Sequence, residues 1–368
     1  MAGVAALLFF PAVLALAQPV PLPAPLPSPA ALLPGRVQAV EAAIAAAMSA
    51  QKIPGLSVSI VTGGELRFSG GYGQADGENE VPATAETVYR LASVSKPITA
   101  VAVMQLVEQG KLDLDAPVQK YVPSFPQKPW PVTTRLLLGH LAGIRQYADG
   151  EFESTRHYAT LADALDVFKD DPLAQEPGTR YLYSTYGYTL VGAVVEAASG
   201  ATFGDYLRRN VFEPAGMAGA RVDDVFEIIP HRAQGYQTGP AGGLLNSGLT
   251  DTSYKIPGGG LCATAPDLAR FAIALWKGTL VRPETRRQMF TTQRTRDGKA
   301  TGYGLGWAVG VGPRGRREVF HRGAQQRVTS LLYMQPERGL GIVLFANLEG
   351  IESPLFALAR QIVHILDR

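Results

Sequence analysis

Two serines and a lysine crowd into the stretch LASVSKPITA, residues 91–100. Ser93 and Lys96 are three residues apart, so they share one face if the stretch is helical. Pro97 is tolerated only in the first turn of a helix, which places the helix start close to Ser93. Unpaired N–H groups at that end would stabilise an oxyanion beside Ser93 Oγ. Taken alone, these residues still favour a capping serine with a solvated lysine, and a nucleophile needs partners from elsewhere.

Ser95 differs from Ser93 because it is adjacent to Lys96, and adjacent helical residues do not face each other. We expect it to be a hydrogen-bonding wall of a cleft. Lys96 can accept a proton from Ser93 only if burial or nearby positive charge lowers its pKa.

Two distant stretches could complete such a site. YLYSTYGY carries Tyr183 and Thr185 just before a helical pattern, although packing in the core is the favoured role for its other tyrosines. FHRGAQQRV places His321 and Gly323 on a strand-like run, where a glycine lets a substrate backbone approach the strand edge. The alternative for His321 is a surface histidine before a hairpin.

The order Ser93-Val-Ser-Lys96, Tyr183-Ser-Thr185 and His321-Arg-Gly323 resembles the three motifs of penicillin-recognising serine hydrolases. That family includes class C β-lactamases, D-alanyl-D-alanine carboxypeptidases and related esterases. The resemblance runs over about residues 36–366 and includes LLLGHLAGI and YGLGW. Longer blocks, FPQKPWPVTTRLLLGHLAGIRQY, LYSTYGYTLVGAVVE and DTSYKIPGGG, resemble the mitochondrial β-lactamase-like branch and its bacterial relatives.

The resemblance implies a role for each matching position. Ser93 would be the acylated nucleophile, Lys96 its proton acceptor or shuttle, and Tyr183 the phenolic acid or base. The remaining implied roles are an oxyanion hole from the N–H groups of Ser93 and Ala324, and substrate contacts from Thr185, His321, Gly323 and Ser95. His140 and the glycines of PGGG, residues 257–260, are expected to be structural, with the glycines bordering the cleft.

Two positions depart from the family pattern. Thr185 stands where β-lactamases and carboxypeptidases commonly have asparagine, and His321 stands where the family usually has lysine. Thr185 replaces an amide that could bind the substrate's amide with a hydroxyl. His321 replaces a permanent cation with a group that can be neutral at pH 7. Both changes weaken the case for efficient binding of β-lactams through their carboxylate. They fit a peptidase or esterase better than a β-lactamase, and the resemblance to the mitochondrial branch implies a serine hydrolase that cleaves peptide or amide bonds through an acyl-enzyme. Ester hydrolysis and weak β-lactam hydrolysis are the close alternatives, and a non-catalytic binding or scaffold protein is the rival class.

Composition limits the partners. The chain has 368 residues, of which 46% are hydrophobic and 18% charged, with a formal net charge of +2. This balance gives no support to nucleic-acid binding, so a small molecule or peptide is the expected substrate. The scattered histidines have no metal-ligand spacing, and neither a metal nor another cofactor is expected. The single cysteine, Cys262, is predicted to be a buried, inert thiol.

The elements that must position these residues follow from hydrophobic periodicity. Strand-like runs lie near both ends of the chain, and helical patterns lie between them. We predict the α/β (α+β) class, with a mainly antiparallel sheet flanked by N- and C-terminal helices and an inserted all-helical lobe. Residues 36–115 and 285–368 would form the sheet lobe and residues 116–284 the helical lobe. The resemblance implies a β-lactamase/transpeptidase-like fold with a cleft between the lobes.

The N-terminus reads as a targeting segment. Residues 1–17 are apolar and end in Ala-Leu-Ala, a signal-peptidase pattern, although no positive residue precedes the apolar run. Residues 18–35 are a proline-rich linker. We expect a periplasmic or secreted protein, with retention of residues 1–17 as a membrane tether as the alternative. The sequence does not fix an oligomeric state.

Overall fold

The computed structural model describes residues 32–368. The predicted signal segment, residues 1–17, lies outside the described residues, as does most of the predicted linker. The last two linker residues, Pro34 and Gly35, already belong to the first helix, where proline takes a first-turn position. Within residues 32–368, no helix is both long enough and apolar enough to cross a bilayer.

Strands occur near both ends of the described chain, with short ones between. In chain order they are β1 (Gly55–Thr62), β2 (Glu65–Asp76), β3 (Val81–Pro82), β4 (Tyr89–Arg90), β5 (Arg221–Val222), β6 (Tyr236–Thr238), β7 (Leu244–Asn246), β8 (Leu261–Ala263), β9 (Ala308–Val311), β10 (Arg317–Gln325), β11 (Val328–Gln335) and β12 (Leu340–Ala346).

Helices open and close the described chain and fill most of its middle. In chain order they are α1 (Pro34–Gln51), α2 (Ser95–Glu108), α3 (Thr134–Leu138), α4 (Leu161–Leu165), α5 (Thr185–Ser199), α6 (Phe203–Leu207), α7 (Glu213–Ala215), α8 (Ile256–Gly259), α9 (Ala265–Lys277), α10 (Pro283–Met289) and α11 (Glu352–Leu366).

The largest sheet is antiparallel throughout, with seven strands in the order β3-β2-β1-β12-β11-β10-β9. Strands β1 and β12 pair with Leu56 opposite Ala346, so the two ends of the chain meet at its centre. The β1–β2 hairpin turns through Gly63 and Gly64, whose φ angles of 61° and 74° suit a tight turn that non-glycine residues rarely adopt. The predicted antiparallel sheet is confirmed.

Helices cover both faces of this sheet. On one face, α1 and α11 pack against each other and against the strands through residues such as Ile44, Val58 and Leu358. On the other face, α9 packs on β1, β2 and β12. Because both faces are covered, β1 is buried along almost its whole length. Its serines on the α9 side, Ser57 and Ser59, are buried too and are hydrogen-bonded to the Thr84 carbonyl oxygen and to Ser69 Oγ.

Helix α9 corrects one boundary drawn from the sequence. It falls inside the predicted helical lobe, residues 116–284, but it packs on the sheet. Its buried residues Leu268, Phe271, Ala272 and Leu275 form the apolar stripe that a helix presents to a neighbouring layer. The periodicity identified the helix, but it carries no information on which layer receives that stripe.

The middle of the chain is mainly helical, and it contains the short strands β5 to β8 as well. At its centre, α2 packs against α5 and α8. The first twelve residues of α2, from Ser95 to Leu106, are all buried. A helix buried on every side is normally apolar throughout. Its buried lysine, Lys96, is therefore an exception that calls for a specific environment.

Candidate active site

Ser93 lies in a short 3₁₀ turn, Ala92–Val94, directly before α2. The preceding residue, Ala92, has a φ of 47°, in the left-handed region that L-residues avoid. Backbone strain of this kind persists where the surrounding structure fixes it, and it clusters at functional sites. The turn holds the Ser93 hydroxyl at the cavity surface, ahead of a buried helix.

Lys96 Nζ lies 3.1 Å from Ser93 Oγ. It also lies 2.7 Å from the carbonyl oxygen of Gly258 and 3.3 Å from Thr185 Oγ1. The side chain is fully buried and has no carboxylate among these partners. Burial lowers the pKa of Lys96 well below its ordinary value, and the charge of Lys255 lowers it further. A neutral amine beside Ser93 is a competent proton acceptor.

Tyr183 lies just before α5, and its hydroxyl is 2.8 Å from Ser93 Oγ. Burial raises the pKa of the Tyr183 phenol above its ordinary value, so it keeps its proton at neutral pH. Ser184, the next residue, caps α5 by accepting the N–H of Gly187. The cap fixes the turn that carries Tyr183.

His140 supports the same turn. Its Nδ1 accepts the backbone N–H of Ser184 at 3.1 Å, and its ring packs 4.2 Å from the Tyr183 ring, centroid to centroid. These contacts match the structural role expected for His140. It therefore orients Tyr183 without reaching Ser93.

Thr185 contributes both its backbone and its hydroxyl to the site. Its N–H donates to Gln146 Oε1 at 2.7 Å, and its hydroxyl lies 3.4 Å from Gln146 Nε2. The hydroxyl faces Lys96 as well, and Thr185 lines the cavity. The structure therefore brings Ser93, Lys96, Tyr183 and Thr185 together, although they come from two distant parts of the chain.

Strand β10 supplies the opposite wall. Strand β9 pairs with it only from Arg317 to Phe320, so its outer edge beyond that point has no strand partner within residues 32–368. The two-residue turn 326–327 joins β10 to β11. In such a hairpin the closing pair is hydrogen-bonded, and bonded pairs alternate with non-bonded pairs. Ala324, in the second pair, therefore turns its N–H outward, and it lines the cavity.

Gly323 is required for a reason other than the predicted one. A Cβ built on Gly323 would lie 2.4 Å from Ser330 Oγ, 2.6 Å from the Leu91 carbonyl oxygen and 2.9 Å from the Ser93 nitrogen. The glycine allows β10 to pack against the turn that carries Ser93. The close approach that it permits is thus between two parts of the protein, and we find no cavity surface on Gly323 itself.

The structure places His321 away from the cavity wall. Its side chain is buried, with Nε2 2.8 Å from Tyr303 Oη and Nδ1 2.8 Å from the carbonyl oxygen of Arg322. Burial lowers the pKa of His321 to about 3, so it is neutral and Nε2 accepts the Tyr303 proton. The substrate contact predicted for His321 does not fit this position, because both ring nitrogens already have partners.

Ser95 is also not part of the cavity wall. It is fully buried in the first turn of α2, and its Oγ accepts the backbone N–H of Leu261 at 3.3 Å. Ser95 thus ties α2 to β8, and the substrate contact predicted for it does not fit. Ser95 does not pair with Lys96, as predicted, but its partner is the backbone of Leu261 and not a substrate in the cleft.

The cavity in front of Ser93 has a volume of about 440 Å³. Its wall includes residues to which the sequence reasoning gave no role, most notably Gln146, Lys255 and Gln325. The lining residues are Ser93, Gln146, Tyr147, Phe152, Tyr183, Thr185, Lys255, Gly258, Gly259, Arg322, Ala324, Gln325, Gly350, Glu352, Ser353 and Pro354. The signal for Lys255 was its place in the block DTSYKIPGGG, three residues before Gly258, the first of the glycines expected to border the cleft.

A metal centre finds no support in the part of the chain that the structure describes, where no cluster of three or more histidine, cysteine or acidic side chains could hold an ion. Cys262 is buried, and burial raises the pKa of its thiol to about 12. It is not a reactive thiolate. The groups beside Ser93 Oγ are the amine of Lys96 and the phenol of Tyr183.

The site combines a Ser-x-x-Lys motif at the start of a buried helix with a tyrosine from a distant part of the chain, beside an antiparallel sheet. The β-lactamase family model matches residues 40–367, and the chain belongs to this family of serine hydrolases. The family predicted from the three motifs is confirmed.

Individual relatives agree with this assignment. The human mitochondrial serine beta-lactamase-like protein LACTB is 30% identical over 406 residues, covering 81% of this chain and 74% of LACTB. Penicillin-binding protein 4* of Bacillus subtilis strain 168 is 27% identical over 325 residues, covering 84% of this chain and 72% of that protein. The octameric penicillin-binding protein homologue from Pyrococcus abyssi superposes with a TM-score of 0.73 at 28% identity, covering 84% and 73%.

Proposed function

We propose that this protein hydrolyses peptide or amide bonds through an acyl-enzyme on Ser93. One observation carries the proposal: Ser93 Oγ lies within hydrogen-bond reach of an amine that can accept a proton and of a phenol that can donate one. Lys96 Nζ, 3.1 Å away, has a lowered pKa, and the Tyr183 hydroxyl, 2.8 Å away, has a raised one. A base and an acid on one nucleophile are what two-step acyl transfer needs.

Acylation would begin when Ser93 Oγ attacks the scissile carbonyl and Lys96 takes its proton. The N–H groups of Ser93 and Ala324 would stabilise the oxyanion. Collapse of the tetrahedral intermediate breaks the C–N bond, and Tyr183 donates a proton to the leaving nitrogen. The proton held by Lys96 then restores the phenol. In deacylation water attacks the ester, gives its proton to the same pair, and Ser93 leaves with a proton returned to Oγ.

The protonated phenol supports amides over esters as substrates. An amine leaves an acyl centre poorly unless its nitrogen is protonated, whereas an alkoxide or phenolate leaves more easily. Tyr183 is a general acid already in contact with Ser93. Ester hydrolysis is the second candidate, since it needs less from Tyr183, and weak β-lactam hydrolysis is the third.

A covalent probe tests the nucleophile. A fluorescent penicillin and a fluorophosphonate should each label the purified protein, and mass spectrometry of peptides should place the adduct on Ser93. Ser93→Ala should abolish labelling, and Ser95→Ala is the matched control that should keep it. Labelling that persists in Ser93→Ala but disappears in Ser95→Ala would reverse the assignment. If neither probe reacts and no peptide, amide or ester is turned over, the non-catalytic scaffold becomes the better proposal.

We also propose that the protein is exported and that residues 1–17 are removed as a signal peptide. The apolar run ending in Ala-Leu-Ala supports this. Expression of the full chain in a bacterial host, followed by fractionation and N-terminal sequencing, tests it. A mature N-terminus at residue 18 in the periplasm or medium supports export. Full-length protein in the membrane fraction would favour a retained tether, and full-length protein in the cytoplasm would contradict both.

A further inference from the structure

Lys255 is a buried lysine in the cavity wall without a hydrogen-bond acceptor. Its side chain is 1% exposed, and its Nζ has no partner within residues 32–368. Three aromatic rings surround the ammonium, with centroids 4.5 Å away for Phe152, 5.0 Å for Tyr254 and 5.5 Å for Tyr147. Such rings attract a cation but accept no conventional hydrogen bond from it. Buried polar groups are normally paired, so this site lacks an acceptor.

A second unpaired donor lies beside it. Gln325 is buried in the same wall, and its Nε2 also has no partner in the described chain. Both side chains approach Gly259 and line the same cavity. A methyl group built on Gly259 would lie 3.5 Å from Gln325 Oε1, 3.7 Å from Lys255 Cδ and 3.8 Å from the Ala92 carbonyl carbon. The two side chains therefore lie close to the turn that carries Ser93.

The charges around this pair leave an excess of positive charge. Asp223, the buried carboxylate behind the wall, already forms ion pairs with Arg90 at 2.7 Å and with Arg232. Burial, followed by the charge of Arg90, lowers the pKa of Lys255 to about 7, and Asp223 opposes this only in part. Arg322 lines the same cavity and adds a positive charge, and Glu352 is the carboxylate of that wall. The phenols of Tyr147 and Tyr254 supply no negative charge.

We propose that Lys255 and Gln325 form a subsite for a carboxylate carried by the substrate close to its scissile bond. The carboxylate accepts one hydrogen bond from the ammonium and one from the amide, which satisfies both unpaired donors. The ammonium is covered by its neighbours, so contact requires a rotation about the terminal bonds of Lys255. This subsite does not use His321, whose ring nitrogens are occupied by Tyr303 and a backbone carbonyl. The inference rests on the proposed acyl-transfer function and specifies its substrate class.

Matched esters test the subsite. One pair carries the charge on the acyl side, mono-p-nitrophenyl glutarate and its terminal carboxamide. The other carries it on the leaving group, 3-carboxyphenyl and 3-carbamoylphenyl butanoate. The quantity of interest is the ratio of kcat/KM for carboxylate over carboxamide within each pair. In Lys255→Met we expect this ratio to fall roughly tenfold or more in at least one pair, since hydrogen bonds to charged groups contribute about that much. Lys111→Met, an exposed lysine outside the cavity wall, should keep the wild-type ratio.

Gln325→Glu separates recognition from a merely structural role. The new carboxylate has the shape of the amide and would pair with Lys255 in place of the substrate. We expect the ratio to fall as in Lys255→Met while Tm rises, because a buried ammonium gains its partner. An unchanged ratio in both Lys255→Met and Gln325→Glu overturns the subsite.

A binding measurement keeps this inference distinct from the proposed function. Calorimetry compares glutarate with glutaramide on wild-type protein and on Lys255→Met, and it needs no turnover. A glutarate preference that is lost in Lys255→Met supports the subsite even if no ester is hydrolysed, a result that would count against the acyl-transfer proposal alone. Equal binding of the two probes by the wild type, with Ser93 labelled normally, overturns the subsite alone.

Discussion

At the scale of single residues, the site is defined by how burial acts on two neighbours of one hydroxyl. Lys96 and Tyr183 both contact Ser93 Oγ, and both are buried. Burial disfavours the charged form of each group, which makes the lysine a better base and keeps the phenol an acid. The same physical effect therefore prepares two opposite functions, because the ordinary charged form of one is a cation and of the other an anion.

Removing the phenolic hydroxyl should slow turnover without unfolding the protein. Tyr183→Phe keeps the ring that packs against His140 and loses only the contact with Ser93 Oγ. We expect kcat on an amide substrate to fall by roughly 10²- to 10⁴-fold, the usual contribution of a positioned acid or base. Steady-state kinetics on an anilide measure the loss, and thermal unfolding of the same sample is the control. Wild-type rates in this variant would remove the phenol from the mechanism.

The pH dependence of acylation follows from the lowered pKa of Lys96 and the raised pKa of Tyr183. Lys96 must be neutral to accept a proton, so the rate rises with pH as the lysine loses its proton, at a pH well below the ordinary lysine value of 10.5. Tyr183 must be protonated, so the rate falls only above its raised pKa. The rate of fluorophosphonate labelling against pH should therefore show an early rise and a plateau that extends beyond pH 10, the ordinary tyrosine value. A rise centred near pH 10.5 would show that the pKa of Lys96 is not lowered in the folded protein.

At the scale of elements, the site depends on the contact between β10 and the Ser93 turn. The free outer edge of β10 turns the Ala324 N–H towards the cavity, and Gly323 lets the strand lie directly against the turn. The proposed oxyanion hole has one donor on each element. Its geometry is therefore set by the separation of a strand and a helix start, and neither element can provide it alone.

Gly323→Ala should widen that separation. The added methyl group would overlap the Leu91 carbonyl oxygen and the Ser93 nitrogen, which are backbone atoms and cannot rotate away. We expect the labelling rate at Ser93 to fall by about 10²-fold, comparable to the loss of one oxyanion donor. Gly310→Ala, on β9 and outside the cavity wall, is the matched control, since its methyl group would meet only the Phe320 ring, at 3.8 Å. Full labelling activity in Gly323→Ala would show that β10 can shift without consequence.

At the scale of the whole molecule, segments from near both ends of the described chain form one sheet and one covering layer. Strands β1 and β12 pair at the centre of the sheet, and α1 packs with α11 over one face. Such long-range pairing costs loop-closure entropy before any contact is gained, so we expect this sheet to form slowly and to depend on its covering helices.

The packing of α11 on the sheet can be weakened by a substitution outside the wall of the Ser93 cavity. Leu358 is 2% exposed and packs in the core beneath α11. Leu358→Ala should reduce the free energy of unfolding by about 2–5 kcal/mol through lost burial and a residual cavity. Urea denaturation measures the loss, and Ser93 labelling at a temperature where the variant is folded should stay near the wild-type rate. A strong loss of labelling in folded protein would instead indicate that α11 controls the cavity through its first turn.

Local patterns in the sequence determined much of this protein. The spacing of Ser93, Lys96 and Pro97 placed the helix start, and hydrophobic periodicity gave the antiparallel sheet with helices at both ends. The three motifs in order gave the family. These features depend on residues near one another in the chain, where helix and strand geometry fix the relation between side chains.

The tertiary structure alone decided which polar residues face the cavity. Ser95 and His321 turned inward to partners in the protein, while Lys255 and Gln325 lie in the cavity wall without partners in the described chain. The closest contact of Tyr183 with Ser93 joins residues 90 positions apart. Burial and pairing at such distances depend on how separate elements pack, and no local period in the sequence encodes that packing. For this reason the sequence could point to Ser93 as the candidate nucleophile, whereas the shape and charge of the cavity in front of it required the fold.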